Sequence, residues 1–291
     1  MTRELAIFIS SVGFLVFPVI AGLVFGIWKL KSKKWKISLI ILFILCLIFT
    51  WARFIEPNLI ITQKTQISLG FKAKIGVISD THLGVTKNQE FLEKVVSEVN
   101  RENIDFLVIP GDFTYHPNLG NMDELFSPLA KIKVPIFAVL GNHDVEKPGP
   151  NLRRELAVSL KKANVNIIEN QIVSFGNLKI VGLGDNWAGE DNLDQLNTLG
   201  SGDNVVVLAH NPDTTTKYSN NLADLTIAGH THCGQVRIPF LYRRLLPVRG
   251  NFDKGLSKEK NTTLFITCGV GEVGLPMRLF NPPTIDILEL N

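Results

Sequence analysis

Ile75-Gly76-Val77-Ile78-Ser79-Asp80-Thr81-His82 joins an apolar run of strand type to a carboxylate and an imidazole two residues apart. The same pattern returns four times. Phe106-Leu107-Val108-Ile109 leads into Gly111-Asp112, and Ile136-Phe137-Ala138-Val139-Leu140 leads into Gly141-Asn142-His143-Asp144. Val205-Val206-Val207-Leu208 leads into Ala209-His210, and Leu225-Thr226-Ile227-Ala228 into Gly229-His230-Thr231-His232. Continuous apolar runs of this length read as strands buried on both faces, which points to an α/β protein. Each polar cluster then falls just past the C-terminal end of a strand, the edge where the loops of α/β sheets converge into sites. Gly111, Gly141 and Gly229, immediately before three of the clusters, would let the backbone turn sharply there.

Five of the six histidines lie in these clusters, together with Asp80, Asp112, Asn142 and Asp144. Imidazoles and carboxylates gathered from separate segments, with no thiolate among them, suit divalent metals that activate water for hydrolysis, not a structural zinc cross-link. Taken singly, an Asp-x-His or a Gly-Asp is more often a turn, and a lone His210 more often a hydrogen-bonded structural residue. It is the ordered set that carries the argument. His116, in Tyr115-His116-Pro117, lies outside the set and reads as a loop residue.

The ordered set resembles the calcineurin-like metallophosphoesterase superfamily, from about Ala73 to the C-terminus. That resemblance implies an α/β fold, a two-sheet αββα sandwich flanked by helices. It implies two divalent metal ions, one held by Asp80, His82, Asp112 and His232 and the other by Asp112, Asn142, His210 and His230, with Asp112 bridging. Mixed nitrogen and oxygen ligands of this kind accept manganese, iron, zinc or cobalt. Two cations about 3.5–4 Å apart clamp phosphoryl oxygens and lower the pKa of a water between them, so that it attacks as hydroxide. His143 would stand beside the metals, supported by Asp144, and protonate the leaving oxygen or stabilise the transferring phosphoryl group; the alternative is that it only orients Asn142. Many relatives carry a second Asp three positions after the Gly-Asp aspartate, where this chain has Tyr115.

Ahead of this domain the chain changes character. Leu5 to Trp28 is almost uninterruptedly apolar, and Ile37 to Ile55 carries only Arg53 near its end. Each approaches the roughly 20 residues needed to cross a bilayer. The first is too long for the apolar core of a signal peptide and lacks a small-x-small cleavage site, and the second has no amphipathic period. Pro18 should kink the first. Five lysines fill the loop Lys29–Lys36, which the positive-inside rule assigns to the cytoplasm. A helical hairpin so oriented puts the N-terminus and the catalytic domain on the outer face. Mean hydropathy of +0.18 over 291 residues agrees with a membrane segment plus one sizeable core. The domain reading is a membrane anchor over 1–56, a linker and lead-in strand over 57–72, and a phosphoesterase domain over 73–291.

Within that domain, Asn88 to Asn100 places Phe91, Leu92, Val95, Val96 and Val99 on one helical stripe, and Leu152 to Lys162 is a second candidate helix. Ile167 to Leu183 suggests two strands joined near Gly176-Asn177. Thr284 to Leu290 is a last strand, its alternation favouring one buried face. A formal net charge of +3 is too slight to argue for nucleic acid. Val236 to Gly250 interleaves Arg237, Arg243, Arg244 and Arg249 with apolar residues. It reads either as a lid that grips a phosphate and touches acyl chains or the bilayer, or as a partly packed loop with solvated arginines. Cys233, beside His232, reads as a small packed residue, and a disulfide with Cys268 is not called for by the sequence.

The hairpin, the pair Pro282-Pro283 and the run Gly271–Arg278 are similar to a bacterial YkuE/YaeI-type branch of the superfamily. The branch and its neighbours include enzymes that cleave UDP-2,3-diacylglucosamine in lipid A synthesis. The resemblance thus implies a phosphodiesterase or pyrophosphatase of the bacterial inner membrane acting on a phosphorylated, lipid-linked substrate. That substrate is made in the cytosol, so an outward-facing domain favours a cell-envelope phosphodiester instead. A non-catalytic metal-binding receptor or scaffold is the alternative from another class. Nothing in the chain assigns an oligomeric state.

Overall fold

The computed structural model describes residues 2–145, 149–218, 223–250, 252–259 and 261–291. The chain opens with two helices, α1 (Arg3–Lys29) and α2 (Lys33–Asn58), both long and apolar enough to cross a membrane. Their side chains are apolar on all sides and mostly uncovered by protein, the surface expected of helices whose solvent is lipid. Pro18 lacks the N–H that would bond one turn back, and the helix tightens into a 3₁₀ turn over Gly13–Leu15. Arg53, near the end of α2, reaches across to α1 and donates to the backbone and hydroxyl oxygens of Ser10.

Among the described residues, fourteen strands follow. They are β1 (Ile61–Ile67), β2 (Ala73–Val77), β3 (Leu83–Gly84), β4 (Phe106–Pro110), β5 (Thr114–Tyr115), β6 (Ile136–Val139) and β7 (Val165–Ile167), then β8 (Gln171–Phe175), β9 (Leu178–Gly182), β10 (Asn204–Leu208), β11 (Leu225–Ala228), β12 (Gly255–Glu259), β13 (Thr262–Ile266) and β14 (Thr284–Leu290). They form two six-stranded sheets, ordered β1-β14-β2-β4-β6-β7 and β12-β13-β11-β10-β9-β8, with β3 and β5 as a small third pair. In the first sheet β2, β4, β6 and β7 run parallel, and in the second β13, β11, β10 and β9 do.

Alternation along the strands builds two apolar layers. Ile75 and Val77 of β2 and Phe106 and Val108 of β4 face Ile180, Val206, Leu208 and Ile227 of the second sheet, making the layer between the sheets. Leu107 and Ile109 point the other way, toward α3 (Gln89–Val99) and α4 (Arg153–Lys162). Helix α3 begins where the sequence places it, with the Asn88 side chain accepting from Phe91 N, and buries the Phe91-Leu92-Val95-Val96-Val99 stripe. The outer face of the second sheet carries 3₁₀ turns at Leu196–Thr198 and Pro212–Lys217.

One strand differs from its sequence reading. β14 is buried on both faces, because Ile285 and Ile287 join the helix-side layer and Leu288 and Leu290 join the layer between the sheets, while β1 and β2 pair along its edges. Its polar Asp286 is enclosed too, accepting from the Thr267 hydroxyl at 2.6 Å across the gap between the sheets.

Candidate metal centre

Every ligand suggested by the sequence comes off the C-terminal end of a parallel strand. Asp80 and His82 follow β2, Asp112 follows β4, Asn142 and His143 follow β6, His210 follows β10, and His230 and His232 follow β11. The two sheets thus bring seven candidate ligands, with His143 beside them, from positions 152 apart at the extremes to one point. Asp80, His82, Asp112 and His232 offer ligand atoms within 4.8 Å of one another, and Asp112, His210 and His230 do the same. The Asn142 side-chain oxygen joins the second group, 3.0 Å from His210 Nε2. Asp112 belongs to both.

The backbone at these positions is unusual. Asp80, His82, Asp112, His230 and His232 all have φ between +44° and +66°, the left-handed region that side-chain-bearing residues seldom adopt. Two of the glycines serve close approach more than turning. A Cβ on Gly141 would lie 2.2 Å from Asp112 Oδ1, and one on Gly229 would lie 2.5 Å from Asp80 Oδ2. Only the absence of a side chain lets those carboxylates sit where they do.

Hydrogen-bond accounting shows what the site is built to hold. His210 Nδ1 lies 2.8 Å from the Pro110 carbonyl and must donate to it, and His230 Nε2, 3.1 Å from the Pro247 carbonyl, must likewise donate. In the neutral rings, His210 Nε2 and His230 Nδ1 are then both lone pairs, yet they face each other at 3.1 Å. The Asn142 oxygen and Asp112 Oδ2, 3.3 Å from His210 Nε2, converge on the same spot. Four acceptors around one point require a positive charge, either a proton on His210 or a cation in its place. Metal ions fit this donor set. In the other group, His82 Nδ1 donates to the Thr114 carbonyl, so its Nε2 lone pair points at His232 Nε2, 2.9 Å away, with Asp112 Oδ2 at 3.4 Å.

The electrostatics follow from the same arrangement. Burial pushes His82 and His230 down to about 3 and lowers His232 as well, so these three rings are neutral, the form that could ligate a metal. Burial opposes the charged form of His210 too, but Asp112, with Asp80 and Asp185 behind it, outweighs burial and lifts that ring to about 10. Burial raises Asp80 to about 7. Asp112 is held well below the usual carboxylate range, because His210 and His143 outweigh its own burial.

Two expected roles are corrected. Asp144 does not support the His143 ring, because its carboxylate is occupied by Phe113 N, Thr114 N, the Thr114 hydroxyl and Gly141 N at 3.0–3.1 Å. It ties the Asp112 loop to the Asn142 loop. Arg237 does not reach toward a phosphate: it pairs with Asp253, donates to the Cys233 carbonyl and Tyr242 hydroxyl, and stacks over the Tyr242 ring. Arg243 and Arg244 are exposed and line no part of the metal cavity. Cys233 is also more than a packing residue, since it forms a disulfide with Cys268. The two cysteines lie 35 positions apart but follow the paired neighbouring strands β11 and β13, which brings their Cα atoms to 4.9 Å.

His143 places its ring 4.9 Å, centroid to centroid, from that of His82, and its backbone N donates to Asp112 Oδ1. Burial lowers its pKa. Tyr115 fills the place of the aspartate found in many relatives, its ring edge-on to His82 and His143. The side chain of His116 meets the Tyr115 ring edge-on, outside the ligand groups.

The structure adds residues that the sequence reading missed. Asp185 is buried at the end of β9 and Trp187 sets its ring edge-on to His230, 4.6 Å away. Gly184-Asp185 after a strand repeats the pattern of Gly111-Asp112, a signal that was there to be found. Asp213 accepts from Arg249 N and Gly250 N, which fastens the loop whose Pro247 carbonyl fixes the His230 tautomer. The ligands lie at the base of a cavity of about 330 Å³, walled by His143, Trp187, Gln235 and Val273.

Residues 73–234 match the calcineurin-like phosphoesterase family. The chain belongs to that family. It is 32% identical to a metallophosphoesterase of Campylobacter jejuni over 75% of its own length and 59% of the relative's. It is 29% identical to the phosphodiesterase YaeI of Escherichia coli, over 75% of this chain and 82% of YaeI. A UDP-2,3-diacylglucosamine pyrophosphatase LpxG of Chlamydia muridarum is 26% identical, over 84% of this chain and 93% of that one. The protein is therefore a metal-dependent phosphoester hydrolase, and its Asp/His cluster is suited to binding metal ions.

Proposed function

We propose that this calcineurin-like phosphoesterase is a membrane-anchored, two-metal hydrolase that cleaves a phosphodiester or pyrophosphate bond in a lipid-linked substrate. The observation that carries the reading is the pair of ligand-atom groups sharing Asp112 at the base of one cavity. Asp80, His82, Asp112 and His232 would hold one ion, and Asp112, Asn142, His210 and His230 the other. Bound there, divalent cations supply Lewis acidity that polarises a phosphoryl oxygen and ionises water near neutral pH. The chain's own part is to fix the spacing through Asp112, to keep His82, His230 and His232 neutral by burial, and to hold His143 where it can hydrogen-bond a phosphoryl or leaving oxygen. Trp187 and Gln235 narrow the cavity around that point.

UDP-2,3-diacylglucosamine is the substrate suggested by the similarity to LpxG, with α1 and α2 as the two spans of a bilayer anchor. A cell-envelope phosphodiester is the second reading. It is favoured by the five lysines between the spans, which under the positive-inside rule would leave the domain outside, and by the Cys233–Cys268 disulfide, which suits an oxidising compartment. The test uses full-length protein in detergent with manganese, offered UDP-2,3-diacylglucosamine and, separately, bis(p-nitrophenyl) phosphate. UMP release by the wild type, lost in Asp112→Asn, supports the first reading. Cleavage of the soluble diester alone moves the substrate to the envelope, and no cleavage of either overturns the proposal.

A further inference from the structure

Sheet register decides which end of the domain lies next to the membrane helices. β1 begins just after α2 and pairs Ile61 with Thr284 of β14, while β14 pairs Asp286 with Val77 of β2. The end of the sheet adjoining the helices is therefore the end at which β2 delivers Asp80 and His82. The opposite end, at Lys72 and Asn291, lies roughly 20 Å away, the length of a seven-residue strand.

The junction is tightly built. Arg278 N donates to the Ala52 carbonyl of α2, Asn281 N donates to Glu56, and the Asn281 side chain donates to the His232 carbonyl at 2.7 Å. Leu275, Pro276 and Met277 lie against Phe8, Val12 and Phe49 of the spans, enclosing an apolar cavity of about 250 Å³. This loop is therefore level with residues of the apolar helices themselves. It also walls the metal cavity, because Gln235, which lines that cavity, donates to the Val273 and Leu275 carbonyls.

Two tips on this wall expose large apolar side chains. Phe240 is 96% exposed and Phe280 is 68% exposed, and both sit in the left-handed region, at φ +67° and +57°, where a bulky residue is strained. Ile238, Leu241 and Leu275 are exposed beside them. The two tips are joined, since Val236 bridges Leu279 and Arg237 N donates to the Leu279 carbonyl. Exposed Arg243 and Arg244 follow directly. A contiguous apolar rim edged by cations is the surface of a segment that enters a bilayer and meets its phosphates.

We infer that Ile238–Leu241 and Leu275–Phe280 form a rim that dips into the leaflet adjoining the Ser10 and Arg53 ends of the spans. The metal cavity then opens at the bilayer surface and receives an acylated phosphodiester while its chains stay in hydrocarbon. This rests on the proposed lipid-linked substrate, and its test is separable from that reading. Full-length protein carrying Cys46→Ala is labelled with bimane at Phe240→Cys, Phe280→Cys or Lys72→Cys and reconstituted in vesicles of equal parts phosphatidylglycerol and phosphatidylcholine containing doxyl-labelled lipid. Quenching at 240 and 280 but not at 72 is expected, and equally weak quenching at all three positions overturns the inference whether or not any substrate is cleaved. In the double variant Phe240→Asp, Phe280→Asp, hydrolysis of UDP-2,3-diacylglucosamine presented in those vesicles should fall about tenfold or more, the effect of losing burial of an aromatic side chain. Hydrolysis of bis(p-nitrophenyl) phosphate should stay within about twofold, a change too small to signal a lost interaction. Equal losses on both substrates overturn the rim's role in delivery.

Discussion

Replacing Asp286 by Asn should make the protein less stable in acid and more stable in mild alkali. The carboxyl is buried between the sheets with the Thr267 hydroxyl donating to it, and burial raises its pKa from 3.8 to about 7. Between those two values the folded state holds a proton that the unfolded state has released, so wild-type stability falls as pH rises from near 4 to near 7. Three pKa units correspond to about 4 kcal/mol of cost for the ionised form at pH 8. Asn removes that cost and keeps an acceptor for Thr267, but it buries an amide NH₂ at a penalty of about 1–3 kcal/mol. The difference is a gain of about 1–3 kcal/mol at pH 8 and a loss of similar size at pH 5, where the wild-type carboxyl is already neutral. For a domain of this size each kcal/mol moves the midpoint by about 2–4 °C. Thermal unfolding of wild type and Asp286→Asn in detergent across pH 5–8 should therefore show the two curves crossing. A difference that does not change with pH would refute the argument, because other titrating groups are common to both proteins and cancel.

Metal binding should release protons: His210, lifted to about 10, must give up its proton to a cation, so apparent affinity should rise about tenfold per pH unit near neutrality. Isothermal titration in buffers of differing ionisation heat reads that release directly, and its absence at pH 7 would contradict the acceptor accounting. Asp144→Ala should lower metal affinity by about 10–100-fold while kcat at saturating metal falls less than in His143→Ala, because Asp144 holds ligand loops and not the His143 ring. Asn281→Ala removes one of the two donors to the buried His232 carbonyl, leaving Gln235 N, and should cost about 0.5–1.5 kcal/mol in unfolding, together with weaker metal retention measured by elemental analysis after dialysis.

The strand-end clusters were legible because their information is local: an apolar run, a small residue and a ligand fall within ten positions of each other. Most strands of both sheets, and the convergence of Asp80, His82, Asp112, Asn142, His210, His230 and His232 on one point, could be read that way. What could not be read was contact between distant segments. The disulfide depends on β11 and β13 being neighbours, and the Arg237–Asp253 pair depends on a loop folding back on itself. Asp144 misled because proximity in sequence to His143 suggested partnership, whereas the four donors around it come mainly from a loop about 30 positions earlier. Alternation in β14 suggested a single buried face because the sequence does not say that the helix-side layer will cover the face carrying Ile285 and Ile287.

The ligand residues also show why composition alone could not give the geometry. Five of them hold left-handed backbone, which costs roughly 1–2 kcal/mol per residue for side chains of this type. That strain needs compensation from the surrounding loops, and one buried side chain braces the loop against the Asp80 turn. Arg278 is wholly enclosed and donates to the carbonyls of Cys268, Gly269, Gly271 and Asn281. Gly271 N in turn donates to the Asp80 carbonyl, and Val270 N to that of Ser79. The guanidinium thus fixes the loop that clamps the Asp80 turn, while its own backbone is tied to Ala52 in α2. The α2 helix, the Arg278 loop and the Asp80 turn thus form one hydrogen-bonded unit, so α2 is tied to the loops that set the geometry of the Asp/His cluster.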